Sequence, residues 1–277
     1  MDERIKEYLE TKDEQDFYVI CEESINAEMK KISHLPNKNA DDYFECIKRI
    51  NFVLNNWMKS EVRKLYLSMH SDVEETINES QILNEIKQIK VLEKGINDDN
   101  PYILDECEKK TKFINIILES WQDTKKKEKF LNENLEVKNT LGKYYLYAKY
   151  SIDCELGKIG SLERRLNRTN FIVVIAICEE YIRSAEYVLN NWLSDGKIEK
   201  LKRENSEIFE TVERYTTYKD EIINGYLDMC YAQGVIKKMG LEKVRDDREV
   251  KRLTQDIDIE KIEKEEDSKK VKKYQKS

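Results

Sequence analysis

Two prolines and eight glycines in 277 residues set the first limit on what this chain can fold into. Tight chain reversals need the positive φ that glycine tolerates or the preset φ of proline, so hairpins and sandwiches consume both. A chain this poor in turn formers is predicted to be all-α. Its length suffices for one large domain or two modest ones with a sizeable core. Apolar residues are 39% and charged residues 38%, so helices with one apolar stripe and one heavily charged face are expected.

The 56 acidic residues outnumber the 49 basic ones, for a net charge of -7. That mixed, acidic surface offers no global field for duplex nucleic acid. The stretch Met1 to Lys12 is charged and has no apolar segment, so neither a signal peptide nor a transit peptide is expected. The longest apolar run, Phe171 to Cys178, is closed by Glu179 and Glu180. It falls far short of the ~20 residues that span a bilayer and reads as part of a buried helix. Cys21, Cys46, Cys107, Cys154, Cys178 and Cys230 are spread singly among apolar helical positions, unlike the close pairs of metal sites. They are expected to be reduced, buried thiols of a cytoplasmic protein.

Helix boundaries follow from the few breakers. Leu35-Pro36-Asn37-Lys38-Asn39 ends a first long helix, and Asn100-Pro101 offers a cap followed by proline at the first helical position. Between them Tyr43, Ile47, Ile50, Leu54, Trp57 and Met58 recur at three and four, with Cys46 and Val53 on the flank, which predicts a core face. Ser71 and Glu74 have the spacing of a capping box and predict a fresh helix toward Gly95. Further helices are expected near 101–122, 126–157, 161–194, 198–217 and 219–240.

An internal likeness organises the chain. Val53-Leu54-Asn55-Asn56-Trp57 recurs as Val188-Leu189-Asn190-Asn191-Trp192, and at the same offset Glu75-Thr76 returns as Glu210-Thr211. Leu104-Asp105-Glu106-Cys107 also resembles Leu227-Asp228-Met229-Cys230, and each half holds three cysteines. A tandem duplication of a helical unit is inferred. The match of Ile20-Cys21-Glu22-Glu23 to Ile177-Cys178-Glu179-Glu180 implies a different, incompatible register, and Trp121 hints at a shorter period. Acids are abundant enough to make Cys-Glu-Glu a cheap coincidence, so the tryptophan-containing register is preferred. The expected architecture is an elongated helical bundle, or a stacked helical-hairpin array, of two tandem related units. They cover 1–125 and 126–245, and a charged, mobile tail covers 246–277. The last nine residues of that tail contain five lysines and no acid.

Chemistry-bearing patterns are scarce. His34 and His70 belong to no zinc motif. Asp41-Asp42-Tyr43-Phe44-Glu45 has the outline of a magnesium-holding aspartate cluster, but two acids at a helix start also complement its exposed amides. Gly157-Lys158-Ile159-Gly160 lacks the ending of a phosphate loop. No metal or cofactor is expected. Arg63 and His70, with six residues between them, resemble the Arg-to-His pair of helical ribonucleases of the HEPN type, which implies cleavage of RNA by Arg63 and His70 at a dimer interface. Lys64 departs from the smaller polar residue usual after that arginine.

The tyrosines are uneven. Ten of 16 lie between Tyr144 and Tyr231, and four fall between Tyr144 and Tyr150, too many for one helix stripe, so some are expected to face outward. Tyr and Arg are favoured at binding hot spots, and Arg164 and Arg168 are expected one helical turn apart. The leading expectation is a non-enzymatic helical binding or scaffold module for a protein or peptide partner, acidic where it meets the arginines. Tyr147, Tyr150, Arg164, Arg165 and Arg168 are its candidate binding residues. The HEPN-like ribonuclease, or another nucleic-acid-processing protein, is the alternative. Neither a membrane nor a particular oligomeric state is implied.

Overall fold

A computed structural model describes residues 2–36, 38, 41–96, 101–121, 123–165, 171–218, 264 and 266–268. Among these residues there are helices and no strand, as the shortage of turn formers requires. No helix among them is long and apolar enough to cross a membrane. The chain divides into two compact units, Met1–Lys94 and Gly95–Ser277.

In the first unit, α1 (Glu3–Lys6), α2 (Lys12–Ser33), α3 (Asp41–Asn56), α4 (Ser60–Met69) and α5 (Ser71–Glu93) follow in order. Helix α2 starts on a full capping box, with Glu14 N–H donating to Thr11 Oγ1 and the Glu14 carboxylate accepting from the Thr11 N–H. Helix α3 opens on Asp41 and Asp42, placed as the helix dipole favours. It packs on α2 and α5 through Tyr43, Cys46, Ile47, Ile50, Val53 and Leu54. Each such aliphatic side chain contributes about 1.5–3 kcal/mol when fully withdrawn from water. The expected stripe therefore forms, with one exception: Trp57 lies just past the end of α3 and is 41% exposed.

The expected capping box at Ser71 does not form. Only His70 separates α4 from α5, so Ser71 is already helical and His70 holds the N-cap position without a side-chain cap bond. Its ring stacks on Tyr66 at 4.2 Å between centroids.

In the second unit, α6 (Pro101–Ser120), α7 (Thr124–Glu133), α8 (Leu135–Glu163), α9 (Phe171–Trp192), α10 (Asp195–Glu204) and α11 (Ser206–Tyr218) follow. Pro101 takes the first position of α6, as expected. Helix α6 packs against α8 and α9, so it belongs with this unit, whereas the sequence boundary at 125 grouped it with the first half. Asp123 caps α7, and Asn134 splits the expected 126–157 helix into α7 and α8. The expected 161–194 helix is replaced by the end of α8 at Glu163 and the start of α9 at Phe171. Asn205 likewise splits the expected 198–217 helix into α10 and α11. The 219–240 helix lies outside the described residues.

Helices α8 and α9 form the spine. One core cluster gathers Ala148, Ile152, Ala185, Val188 and Leu189, and a second gathers Ile159, Leu162, Val174, Cys178 and Ile182. Because α6, α7, α9 and α11 all pack on α8, Tyr144 and Tyr145 are buried and Tyr147 and Tyr150 half-buried, not outward-facing. Cys21, Cys46, Cys107, Cys154 and Cys178 are free, buried thiols, and burial pushes Cys154 and Cys178 up to about 12. Cys230 lies outside the described residues. Part of the C-terminal tail has a defined place: Asp267 pairs with Lys158 of α8 at 3.0 Å.

Candidate functional site

Three aromatic rings meet where α9 ends. Trp192 stacks on Tyr147 of α8 at 6.0 Å and meets Tyr187, one turn and a half back on α9, edge-on at 6.5 Å. Helix α6 closes this trio with a carboxylate. Asp105 Oδ1 accepts from Trp192 Nε1 at 2.7 Å and from the Tyr187 hydroxyl at 2.9 Å, while Oδ2 pairs with Lys109 at 2.8 Å. Partial burial opposes ionisation of Asp105, but bonds from Lys109, Trp192 and Tyr187 outweigh it and hold the carboxyl below the usual range. Lys112 Nζ adds a bond to the Asn190 carbonyl. At its far end α6 places Glu119 over the start of α10, accepting from Ser194 Oγ at 2.7 Å and from the Gly196 N–H at 3.2 Å. A Cβ on Gly196 would stand 2.5 Å from that carboxylate, so a larger residue there would displace the Glu119 side chain.

The first unit carries a ring trio around its own tryptophan. Trp57 meets Phe17 of α2 at 5.9 Å and Phe52 of α3 at 5.8 Å. Here the rings are open to solvent, Phe17 being 44% and Phe52 53% exposed, with Ile20 of α2 at 52% beside them in the helix register. Phe17 and Ile20 stand three apart and share a helix face. Large apolar side chains clustered on a surface mark interaction sites more often than singly scattered ones do.

The residues expected to bind a partner are not gathered at one point. Tyr147 belongs to the covered trio, and Tyr150 lies one turn further along α8. Arg164 sits at the C-cap of α8 and bonds Ser161 Oγ at 3.2 Å, and the exposed Arg165 follows it. With a rise of about 1.5 Å per residue, roughly 20–25 Å of helix separates the tyrosines from the arginines. Arg164 lies just past Glu163, the last residue of α8, and Arg168 lies outside the described residues. Phe17, Phe52 and Trp57 escaped the sequence reading because it weighed tyrosines and placed Trp57 in the core.

Arg63 and His70 have internal partners. The Arg63 guanidinium donates to Asn55 Oδ1 at 2.5 Å, and His70 Nε2 stands 3.6 Å from Glu22 Oε1. Elsewhere in the first unit, α3 and α5 flank an open groove of about 640 Å³, where Lys87 Nζ lies 3.9 Å above the Phe44 ring. Among the described residues no group of histidine, cysteine and acid side chains is arranged to hold a metal ion. Comparison with protein-family models, curated proteins and solved structures finds no match for this chain.

Proposed function

We propose that the chain is a helical protein-binding module built from two copies of one helical unit, and that it engages its partner through an aromatic surface. The observation that carries this reading is the open trio Phe17, Phe52 and Trp57. Aromatic side chains offer large, stiff contact areas at low entropic cost and dominate interface hot spots. Covering the exposed parts of three such rings removes on the order of 250 Å² of apolar surface, about 6 kcal/mol before the costs of association.

Several particulars support the repeated unit. Val-Leu-Asn-Asn-Trp closes both α3, with Trp57 just past its last residue, and α9, and Asn56 and Asn191 each bond the carbonyl four residues back, Phe52 and Tyr187. Helices α4 and α10 have ten residues each, and the starts of α4 and α5 at 60 and 71 match those of α10 and α11 at 195 and 206 with one offset. Cys21 and Cys154 lie on the helix before, Cys46 and Cys178 on the helix that ends in tryptophan. The rival register would pair Cys21 with Cys178, on helices of different rank. The arginine end of α8, with Arg164 and Arg165, is a second surface suited to acidic groups, and Arg168 follows it in sequence.

Paired affinity capture tests the reading, with the wild type and a Phe17→Ala/Phe52→Ala/Trp57→Ala chain as baits and quantitative mass spectrometry as readout. A partner recovered by the first and depleted severalfold with the second supports it. Identical recovery on both baits overturns it.

A further inference from the structure

The rings of Phe17, Trp57 and Phe52, with Ile20 beside them, have charged neighbours on the surface of the first unit. On α2 the exposed residues Asp13, Asp16, Phe17, Ile20 and Glu23 recur at three and four, so one side of the helix sets two apolar side chains among three acids. Among the described residues the carboxylates of Asp13, Asp16 and Glu23 make no hydrogen bond or ion pair. Bases near the rings are already engaged. Lys48 pairs with Glu45 at 2.5 Å, Arg49 with Glu28 at 3.0 Å and Lys59 with Glu14 at 2.8 Å. Lys12, at the first position of α2, offsets part of the acidic charge. The apolar patch is therefore bordered by acids that no base of the described fold holds.

We infer that the partner of this face is a basic amphipathic helix of another protein, its apolar side on Phe17, Ile20, Trp57 and Phe52 and its lysines or arginines against Asp13, Asp16 and Glu23. The inference rests on the reading of the open trio as a docking surface and adds the chemistry of what docks there. Charge and spacing carry it. At a rise of about 1.5 Å per residue the acid row from Asp13 to Glu23 extends about 15 Å, roughly three helical turns. A docked helix presents its own flanking side chains at the same three-and-four spacing, so bases along its edge meet acids along the edge of α2. Trp57 meets one ring from α2 and one from α3, so the apolar strip crosses both helices and gives the partner's apolar side a floor wider than a single stripe. The same acids repel the phosphates of nucleic acid and of anionic lipid, and they steer a cationic segment toward the rings.

Two synthetic probes test this, a helix of about 18 residues with leucines on one side and lysines on the other, and the same helix with glutamate for each lysine. Fluorescence anisotropy of the labelled probes, titrated with the full chain at low salt, is expected to show the lysine helix bound about tenfold more tightly or better. Asp13→Asn/Asp16→Asn/Glu23→Gln should weaken that binding about tenfold, the scale of three exposed charge contacts. The difference should fade near 1 M salt, where screening acts over about 3 Å. Glu128→Gln/Glu207→Gln/Glu210→Gln removes the same charge from exposed positions of the second unit and should change the affinity less than about twofold. Asp16→Asn/Glu23→Gln, which spares the first turn of α2, should retain most of the loss, and circular dichroism checks that helicity is unchanged. Equal losses in the two triple variants would mean that net charge alone attracts the probe, and they overturn the inference. So does a glutamate helix bound as tightly as the lysine helix. Phe17→Ala/Phe52→Ala/Trp57→Ala separates this result from the underlying reading. If that chain loses both probes while the charge variants lose neither, the docking surface stands and the basic partner falls. If it binds both probes as the wild type does, both fall.

Discussion

Glu108 is the residue whose chemistry is most at odds with its surroundings. It is 1% exposed on α6, and its Oε1 has no hydrogen-bond partner. Burial, and secondarily the charge of Asp105, pushes its carboxyl well above the ordinary range, so the folded protein holds it protonated where an unfolded chain would ionise it. The sign follows from linkage. Stability supplied by the protonated form is complete below the unfolded value of about 4.3 and is lost as pH rises through the raised folded value. Glu108→Gln, always neutral, is therefore predicted to gain in melting temperature on the wild type between about pH 5 and about pH 8. Melting curves at both ends check it, and parallel pH profiles would refute it. Cys178, fully buried in the core of α9, gives a second residue-scale prediction. Cys178→Ser should cost about 1–3 kcal/mol in urea denaturation, because a hydroxyl costs more to bury than a thiol in this cluster, where the Tyr215 hydroxyl is the polar neighbour.

At the scale of helices, α6 is the cover of the second unit, and its worth is measurable against the uncovered trio. Asp105→Ala removes the acceptor for both Trp192 and Tyr187 and should destabilise the chain by about 1.5–3 kcal/mol. Trp57→Ala, on an open surface, should cost below about 1 kcal/mol. Chemical denaturation of the two variants side by side reads the difference. The helices themselves were largely legible in the sequence. The apolar stripe of α3 and the proline at the start of α6 are local signals, fixed by helical period and by proline's missing donor. What stayed illegible were the one-residue junctions at His70, Asn134 and Asn205, since a break between abutting helices that carries no glycine or proline leaves little trace in the pattern. The burial of the Tyr144–Tyr150 cluster, some of which was expected to face outward, was illegible for a related reason. The number of neighbours around α8 is a property of packing, not of its own sequence.

For the whole molecule, the likeness of two Val-Leu-Asn-Asn-Trp segments was readable at once, and the matching helix starts agree with it. The different fates of the two tryptophans were not. Trp57 and Trp192 follow the same four residues, and it is Trp192 whose ring N–H bonds Asp105 of α6. The arginine end of α8 was legible in composition but not in its distance from Tyr147. If a partner meets that end, replacing Arg164, Arg165 and Arg168 with Ala should weaken binding and flatten its salt dependence, because exposed charge contacts are screened over about 8–10 Å near physiological ionic strength. Titrations at two salt concentrations would read both effects. The central claim, that Trp57 stands on an open ring cluster while Trp192 is held half-buried against α6, is tested most directly by acrylamide quenching of single-tryptophan chains at low concentration. One chain keeps Trp57, with Trp121→Phe and Trp192→Phe, and the other keeps Trp192, with Trp57→Phe and Trp121→Phe. The account predicts a quenching constant severalfold larger for Trp57 than for Trp192, and equal constants, or a better protected Trp57, would contradict it.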